Sequence, residues 1–183
     1  GCGQMSASPQ DPNTIYATTW DFRRQAWTFR SGGPGSGIFK STDGGEHWSE
    51  ISESNAKGLP AKPYGRIAIA VAPSKPQTVY AMIECKASAL YRSDDGGQSW
   101  KKLDASQYMV WRPFYFANLI VDPKNENKVF KVDLVLLLSV NGGESFSAVS
   151  NQAHGDFHDV WIDPNDTNTV FATDDGGVWR SFD

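Results

Sequence analysis

The stretch SDDGGQSW at Ser93–Trp100 decides the fold, because variants of it recur along the chain. STDGGEHW begins at Ser41, SVNGGESF begins at Ser139, and a further copy begins with SFD at Ser181. Two successive glycines reach positive φ values that other residues resist, and the preceding Asp or Asn side chain accepts backbone N–H groups of a tight turn. The motif therefore predicts a hairpin turn followed by an aromatic residue that packs into the protein.

A second motif alternates with the first. PQDPNTIYA, PSKPQTVYA, PKNENKVFK and PNDTNTVFA begin at Pro9, Pro73, Pro123 and Pro164. Each follows a short apolar stretch, which predicts a strand, a Pro/Asn-rich turn and a second strand. Two motifs that recur in the same order along the whole chain predict a repeat architecture made of β units.

This pair of motifs resembles the Asp-box, or BNR, repeat family, which occurs in sialidases, in sortilin-type receptors and in secreted glycosyl hydrolase-like proteins. The resemblance implies an all-β fold, a partial β-propeller of about four four-stranded antiparallel blades of which the last is incomplete. The expected blades span residues 3–60, 61–110, 111–152 and 153–183. The structural box positions are Ser41, Asp43, Gly45, Trp48, Ser93, Asp95, Gly97, Trp100, Ser139, Asn141, Gly143 and Phe146.

The roles of the box residues follow from backbone geometry. Trp48 and Trp100 should be largely buried in their blades, and neither Asp43 nor Asp95 is expected to be catalytic. A further DGG at residues 175–177 lies too soon after the fourth strand pair to be a box. The box in register is the stretch 181–183.

Composition narrows the classes of partner. The net charge of −4 gives no support for a phosphate-backbone partner, which would need a basic face, and this disfavours nucleic acid. The longest apolar run, LVLLL at Leu134–Leu138, is too short to cross a bilayer.

Cys2 and Cys85 cannot form a disulfide framework, and their spacing matches no zinc motif. The family resemblance implies a secreted, periplasmic or cell-surface protein, although the first residues, GCGQM, lack the features of a signal peptide.

Strand directions in an antiparallel meander sort the loops between two ends of the sheets. The Pro/Asn turns and the Asp boxes fall at one end, named here the box face. The loops from second to third strand and the connections between blades fall at the other end, the loop face. The insertion Trp20–Gly37 and the strand entries at Arg66, Arg112 and His154–Asp159 belong to the loop face, so we expect a binding surface there.

Three kinds of chemistry fit the loop face. Carboxylates from different blades can act as the acid and base of a glycosidase, and the candidates are Asp21, Glu84, Asp133 and Asp156. Imidazole and carboxylate suit zinc or manganese, and the candidate ligands are His154, Asp156 and His158. Arginines and aromatics can bind a sugar or a peptide without catalysis. The candidate ligand-binding residues are Trp20, Arg23, Arg24, Trp27, Arg66, Arg112, Tyr115, His154, His158 and Asp159.

Each of these interpretations has a structural alternative. The aromatics of the insertion can instead be buried against the blade, and the histidines can hydrogen-bond strand ends. Sialidase activity is disfavoured, because Arg66, Arg112, Tyr115 and Glu84 match that family by residue type only and its surrounding motifs are absent.

The sequence therefore predicts a glycan-directed propeller segment that binds or hydrolyses a carbohydrate at the loop face. The alternative is a sortilin-like module that binds a protein or peptide, or serves a structural role, without catalysis. No cofactor is expected, with a divalent metal as the alternative. The incomplete last blade leaves an exposed strand edge, so we expect the chain to be either a fragment of a longer ring or half of an assembly in which two copies meet head to tail to complete a ring of about eight blades.

Overall fold

The computed structural model describes residues 1–149 and 153–182 and is built almost entirely of short antiparallel strands. The first repeat holds β1 (Cys2–Ala7), β2 (Ile15–Thr19), β3 (Phe22–Gln25), β4 (Thr28–Ser31), β5 (Gly37–Ser41) and β6 (Ser49–Ile51). The second holds β7 (Ile67–Val71), β8 (Val79–Ile83), β9 (Ala89–Ser93) and β10 (Lys101–Lys102). After the 3-10 helix η1 (Gln107–Val110), the third holds β11 (Asn118–Asp122), β12 (Asn125–Val132), β13 (Leu137–Ser139) and β14 (Ser147–Ala148). The fourth holds β15 (Phe157–Ile162), β16 (Val170–Asp174) and β17 (Gly177–Ser181).

The strands form one sheet per repeat. The strand orders are β1-β2-β5-β6, β7-β8-β9-β10 and β11-β12-β13-β14, and the described part of the fourth sheet is β15-β16-β17. The strands β3 and β4 form a separate hairpin between the second and third strands of the first sheet. The prediction of an all-β chain with four-stranded antiparallel sheets is confirmed. The predicted blade limits at residues 152 and 183 lie outside the described residues.

The four sheets share one register. In each sheet the serine on the third strand that begins the Asp box pairs with an Ile or Val on the second strand. These pairs are Ile15–Ser41, Val79–Ser93, Val129–Ser139 and Val170–Ser181. Ser181 therefore occupies the box-serine position, as the sequence predicts. The DGG at 175–177 forms the turn between β16 and β17, at the opposite end of the sheet. Asp183 lies outside the described residues.

Hydrogen bonds within the Asp boxes hold the turn between the third and fourth strands. In the second box the Ser93 hydroxyl donates to Asp95 Oδ1 at 2.7 Å and accepts the Gly97 N–H at 2.8 Å. Gly96 and Gly97 have φ values of 68° and 93°, which a residue with a Cβ rarely adopts. The Gly96 N–H also donates to the Gln77 carbonyl in the turn that contains Pro73. Equivalent bonds in the first and third sheets place boxes and Pro/Asn turns together on the box face.

Apolar side chains between successive sheets form the core of the described residues. Ile69 and Tyr91 lie between the first and second sheets, and full burial of an aliphatic side chain such as that of Ile69 contributes about 1.5–3 kcal/mol. Trp100 belongs to this cluster and is only 6% exposed. The next box aromatic, Phe146, packs between the second and third sheets.

The prediction that Trp48 is buried is wrong, because this side chain is 40% exposed. Its indole Nε1 donates to the Gly45 carbonyl at 2.9 Å, as Trp100 Nε1 does to Gly97 at 3.1 Å, so the two boxes fold alike. Trp100 packs onto the sheet that precedes its own. Within the described residues no sheet covers the corresponding side of the first sheet, which leaves Trp48 in solvent.

Two further expectations concern the whole chain. No helix in the described part of the chain has the length and apolar character needed to span a bilayer. Cys2 and Cys85 are both free thiols, and Cys2 is exposed while Cys85 is half-buried.

Candidate functional site

The loop face gathers the segments that lead into the first strands of the sheets. Arg66 directly precedes β7, Arg112–Phe116 precede β11, and His154–Asp156 precede β15. The hairpin β3–β4 and the turns after β8, β12 and β16 lie at the same end. The strand registers place all of these segments opposite Asp43 and Asp95, which lie on the box face.

The hairpin β3–β4 bends over the junction between the first and second sheets. The Gly33 N–H donates to the Tyr64 carbonyl at 3.2 Å, and the Ser31 hydroxyl donates to Glu84 Oε2 at 2.5 Å. These contacts join the base of the hairpin to the second sheet. The rest of the hairpin stays in solvent, and Trp27 at its tip is 81% exposed.

Trp20 is buried at the base of this hairpin. Its ring stacks on Phe22 with 4.1 Å between centroids, and its Nε1 donates to the Ser31 hydroxyl at 3.0 Å. The prediction that Trp20 binds a ligand is therefore corrected, because its ring packs inside the protein. Of the two alternatives for the insertion, burial describes Trp20 and exposure describes Trp27.

Arg66 is also enclosed by the protein and only 3% exposed. Its guanidinium donates to the carbonyls of Phe114 and Tyr115 and to Asn118 Oδ1, at 3.1, 3.4 and 3.1 Å. Burial lowers its pKa. These bonds fasten the connection that enters the third sheet to the first strand of the second. The geometry thus assigns Arg66 a positioning role in place of the predicted contact with ligand.

A row of contacting aromatic rings crosses the loop face from the hairpin to the third sheet, and all of them except the buried Phe116 are exposed or half-buried. This aromatic ridge consists of Phe22, Phe29, Phe114, Tyr115 and Phe116. Ring centroids of neighbours lie 5.0 to 6.4 Å apart. Two arginines contact its centre, with Arg24 and Arg112 at 5.3 and 5.8 Å from the Phe114 centroid. Tyr115 is 59% exposed and presents its ring to solvent.

Phe114 lies at the centre of the ridge and is absent from the predicted site residues. The signal was available in the run YMVWRPFYF, in which aromatic residues surround Arg112 just before a strand. Tyr108 and Trp111 from the same run are exposed and pack against each other with 5.4 Å between ring centroids. They extend the aromatic surface of the loop face beyond the ridge.

The segment His154–Asp159 continues the loop face onto the fourth sheet. His158 Nε2 lies 2.8 Å from Asp175 Oδ1, and the His158 ring packs 5.9 Å from that of Tyr115. Asp156 adopts a positive φ of 60°, uncommon for a residue with a Cβ, and its Oδ1 lies 3.5 Å from Arg112. His158 and Asp156 thereby join the fourth sheet to the ridge.

The three candidate metal ligands face separate partners. His154 Nδ1 lies 3.0 Å from the carbonyl of Gly155, while Asp156 and His158 contact Arg112 and Asp175. Over residues 1–149 and 153–182, no group of three or more His, Cys, Asp or Glu side chains is arranged to hold a metal ion. Asp159 is exposed and accepts its neighbour's backbone N–H.

Three of the four candidate catalytic carboxylates bond to protein groups. Asp21 Oδ1 lies 2.9 Å from Arg30, and Glu84 Oε2 accepts the Arg66 N–H at 2.7 Å. Asp133 is buried in an ion pair with Lys131, whose Nζ lies 2.7 Å away and also donates to the Tyr108 carbonyl. These bonds hold the hairpin and the connections in place. Asp156 is the remaining candidate, and it lies beside the ridge.

Comparison with protein families matches residues 91–102, around the second box, to the BNR/Asp-box repeat. Comparison of the sequence with curated proteins finds no match. Among solved structures, an ancestral GH74 enzyme is similar with a TM-score of 0.67 and 20% identity, over 99% of this chain and 22% of that chain.

Two further structures extend the comparison. The GH74 xyloglucanase from Xanthomonas campestris has a TM-score of 0.59 and 19% identity, over 98% of this chain and 24% of that chain. YCF48 bound to D1 peptide has a TM-score of 0.58 and 13% identity, over 98% of this chain and 52% of that chain.

The chain therefore spans about a quarter or less of the GH74 enzymes and about half of YCF48. Identities this low establish the fold and not the activity. The structural neighbours are propeller proteins. The chain is thus an all-β protein that carries a BNR/Asp-box repeat and shares its fold with propeller-type proteins.

Proposed function

We propose that the loop face binds a carbohydrate, and that the four sheets are consecutive blades of a propeller that present this face. The observation that carries the proposal is the continuous aromatic ridge, flanked by Arg24 and Arg112. Aromatic rings offer flat apolar area against which the faces of sugar rings can stack, and arginine donates to hydroxyl or carboxylate oxygens. The likeness to a xyloglucanase supports a glycan as the class of ligand.

The residues of this chain support carbohydrate binding better than they support hydrolysis. Hydrolysis needs two carboxyl groups that face the scissile bond at about 5–5.5 or 6.5–9.5 Å from each other. Asp21, Glu84 and Asp133 are already bonded to protein donors. Of the four candidate carboxylates, Asp156 is the one beside the ridge that has no short hydrogen bond to a donor among the described residues, so any acid–base chemistry would centre on it. A polysaccharide ligand also implies a location outside the cytoplasm, at the cell surface or secreted.

An oligosaccharide array followed by calorimetric titration tests the proposal. Tyr115→Ala and Trp27→Ala remove the two most exposed aromatics of the loop face named here, and each should weaken binding about five- to tenfold, as expected for roughly 1–1.4 kcal/mol of ring contact. The matched control is Trp161→Ala, which removes an exposed tryptophan from the outer side of the fourth sheet. A control that weakens binding as much, or an array without any bound glycan, would overturn the proposal.

The alternative is recognition of a protein or peptide. YCF48, one of the structural neighbours, is described as bound to a peptide, which gives this alternative its support. A peptide-display panel run beside the glycan array separates the two classes. Peptide ligands lost in Tyr115→Ala, together with a blank glycan array, would favour the sortilin-like alternative.

A further inference from the structure

The hairpin β3–β4 concentrates positive charge in a protein whose net charge is −4. Arg23 pairs directly opposite Arg30 across the two strands, an arrangement in which like charges repel. Asp21 neutralises Arg30 at 2.9 Å. No carboxylate of the described residues lies within 4.0 Å of Arg23 or Arg24. The hairpin therefore carries two guanidinium groups without an acidic partner.

The ridge orients two arginines from different segments toward one ring. Arg24 comes from β3 and lies against Phe114, whereas Arg112 comes from the connection into the third sheet and lies 5.8 Å from the Phe114 centroid and 5.4 Å from the Phe116 centroid. A guanidinium that stacks on a ring is held in place while its N–H edge stays free to donate. The nearest carboxylate to Arg112 is Asp156 at 3.5 Å, longer than a good charge-assisted hydrogen bond. Both arginines are exposed, so an external anion can reach them.

The acidic side chains on the hairpin and ridge side contact protein groups: Asp21 contacts Arg30, Glu84 accepts the Ser31 hydroxyl, and Asp156 lies 3.5 Å from Arg112. Three further acidic side chains, Asp159, Asp174 and Asp175, belong to the fourth sheet, where the buried Asp174 accepts the N–H groups of Gly176 and Gly177. The loop face is thus divided into a basic side over the hairpin and ridge and an acidic side over the fourth sheet. This division gives an anionic ligand one preferred end of the surface.

We propose that the basic side recognises the carboxylate of a uronic acid residue, with its sugar ring on the aromatic ridge and its carboxylate between Arg24 and Arg112. This inference rests on the proposed carbohydrate binding and names the class of carbohydrate. The planar fork of a guanidinium matches a carboxylate with two parallel hydrogen bonds. Neutral sugars use the same ridge but leave both arginines without a charged partner.

A matched pair of ligands separates this inference from the proposed function. The pair is an oligogalacturonide and its fully methyl-esterified form, which share the same sugar rings and differ in the negative charge of each carboxylate and the methyl group that replaces it. Calorimetric titration should show that the acid binds at least tenfold tighter than the ester at low salt. Raising NaCl from about 50 to 500 mM should remove most of that difference, because exposed charges are screened within a few ångströms at high salt.

Variants assign the effect to the two arginines. Arg24→Gln and Arg112→Gln keep polar side chains but lose the charge, and each should weaken acid binding about tenfold. Ester binding should weaken by no more than about two- to threefold, because a neutral ligand loses only an uncharged hydrogen bond to the guanidinium. The matched control is Arg180→Gln, since Arg180 also packs on an aromatic ring, that of Phe171 at 5.2 Å, but belongs to the fourth sheet. Circular dichroism and thermal melts check that each variant is folded.

The outcomes are distinct. Equal affinity for acid and ester, or loss of acid binding in Arg180→Gln but not in the other two, would overturn the uronate inference and leave carbohydrate binding intact. An oligosaccharide of neutral sugars that carries sulfate esters, and that binds as tightly as the uronate, would also overturn the inference. The site would then select negative charge and not a carboxylate. Failure of every glycan on the array, with neither member of the pair bound, would overturn both proposals.

Discussion

Trp48 and Trp100 occupy the same position of two Asp boxes yet differ sevenfold in exposure, at 40% and 6%. Each indole donates to the carbonyl of the second glycine of its own box. The local turn is therefore the same, and only the surroundings differ. Trp100 packs onto the sheet before its own, together with Tyr16 and Ile51, and Trp48 meets no such sheet. The motif fixes the direction of the side chain, and the neighbouring sheet decides whether water reaches it.

The largest expected effect is the difference in the free energy of unfolding between two variants, each of which lacks one of the two indoles. Trp100→Ala leaves a cavity between the first and second sheets and should lower the free energy of unfolding by about 3–5 kcal/mol. Trp48→Ala should cost less than about 1 kcal/mol, because its ring is already partly hydrated. Urea unfolding followed by far-UV circular dichroism measures both. Equal losses in the two variants would contradict the role given to the preceding sheet.

The second prediction asks whether two copies of this chain associate through the side of the first sheet that carries Trp48. Met5 and Trp48 are exposed at one end of the row of sheets, and Trp161 and Val178 are exposed at the other. Apolar faces of this kind favour association, so we predict weak head-to-tail pairing in roughly the micromolar range. Sedimentation measures it, and Trp48→Arg should weaken it about tenfold, or about 1.4 kcal/mol.

The control for Trp48→Arg must be another exposed tryptophan, because an arginine at a buried position would unfold the protein. Trp111→Arg meets this condition, since Trp111 is exposed on the loop face, and it should leave association unchanged. A species that stays at 20.1 kDa at every concentration would remove the proposed second copy as a partner.

The smallest expected effect is a change in acid stability at the second box. Partial burial opposes ionisation of Asp95, but hydrogen bonds from the Ser99 hydroxyl and amide and from Ser93 outweigh it and lower the pKa to about 2. The pKa of an Asp carboxyl in the unfolded chain is about 3.9, which is higher than the pKa of Asp95 in the folded protein. Ionised Asp95 therefore contributes stability that is complete above pH ~4 and is lost as the pH falls toward 2. Asp95→Asn should therefore flatten the acid side of the stability profile.

The third box provides the matched control, because Asn141 already occupies the equivalent position and cannot titrate. Asn141→Asp should add an acid-sensitive contribution of the same sign. Asp43 keeps part of the acid sensitivity in both variants, since hydrogen bonds from the His47 amide and the Ser41 hydroxyl also lower its pKa. An unchanged profile in Asp95→Asn would show that the box carboxylate contributes no stability through its charge.

The sheets and their register could be predicted from the sequence because they depend on short-range chemistry. The paired glycines and the preceding Asp or Asn define each turn locally, and the recurrence of Pro73 and its equivalents fixes the order of strands. Even the rejection of residues 175–177 as a box followed from spacing alone, and the pairing of Val170 with Ser181 agrees with it.

The loop face could be located from the sequence, but the roles of its residues could not. Arg66 and Trp20 have the composition of ligand-binding residues, and only the packing of the hairpin and the third-sheet connection reveals that they are enclosed. Phe114 was missed for the reverse reason, because an aromatic beside a strand is usually part of the core. Burial at such positions depends on contacts between residues far apart in the chain, which no local pattern contains.

The way the hairpin β3–β4 joins the first sheet has a consequence for how this surface can change. Thr19 and Gly37 pair across the sheet at the point where the hairpin leaves, so residues 20–36 form a cassette that can be exchanged without altering strand register. The side chains that the hairpin presents on the loop face can therefore diversify in evolution, or in the laboratory, on a constant scaffold. Two contacts with the second sheet constrain every replacement: Glu84 accepts the Ser31 hydroxyl at 2.5 Å, and the Tyr64 carbonyl accepts the Gly33 N–H at 3.2 Å. A transplanted hairpin must therefore bring donors to the same two places.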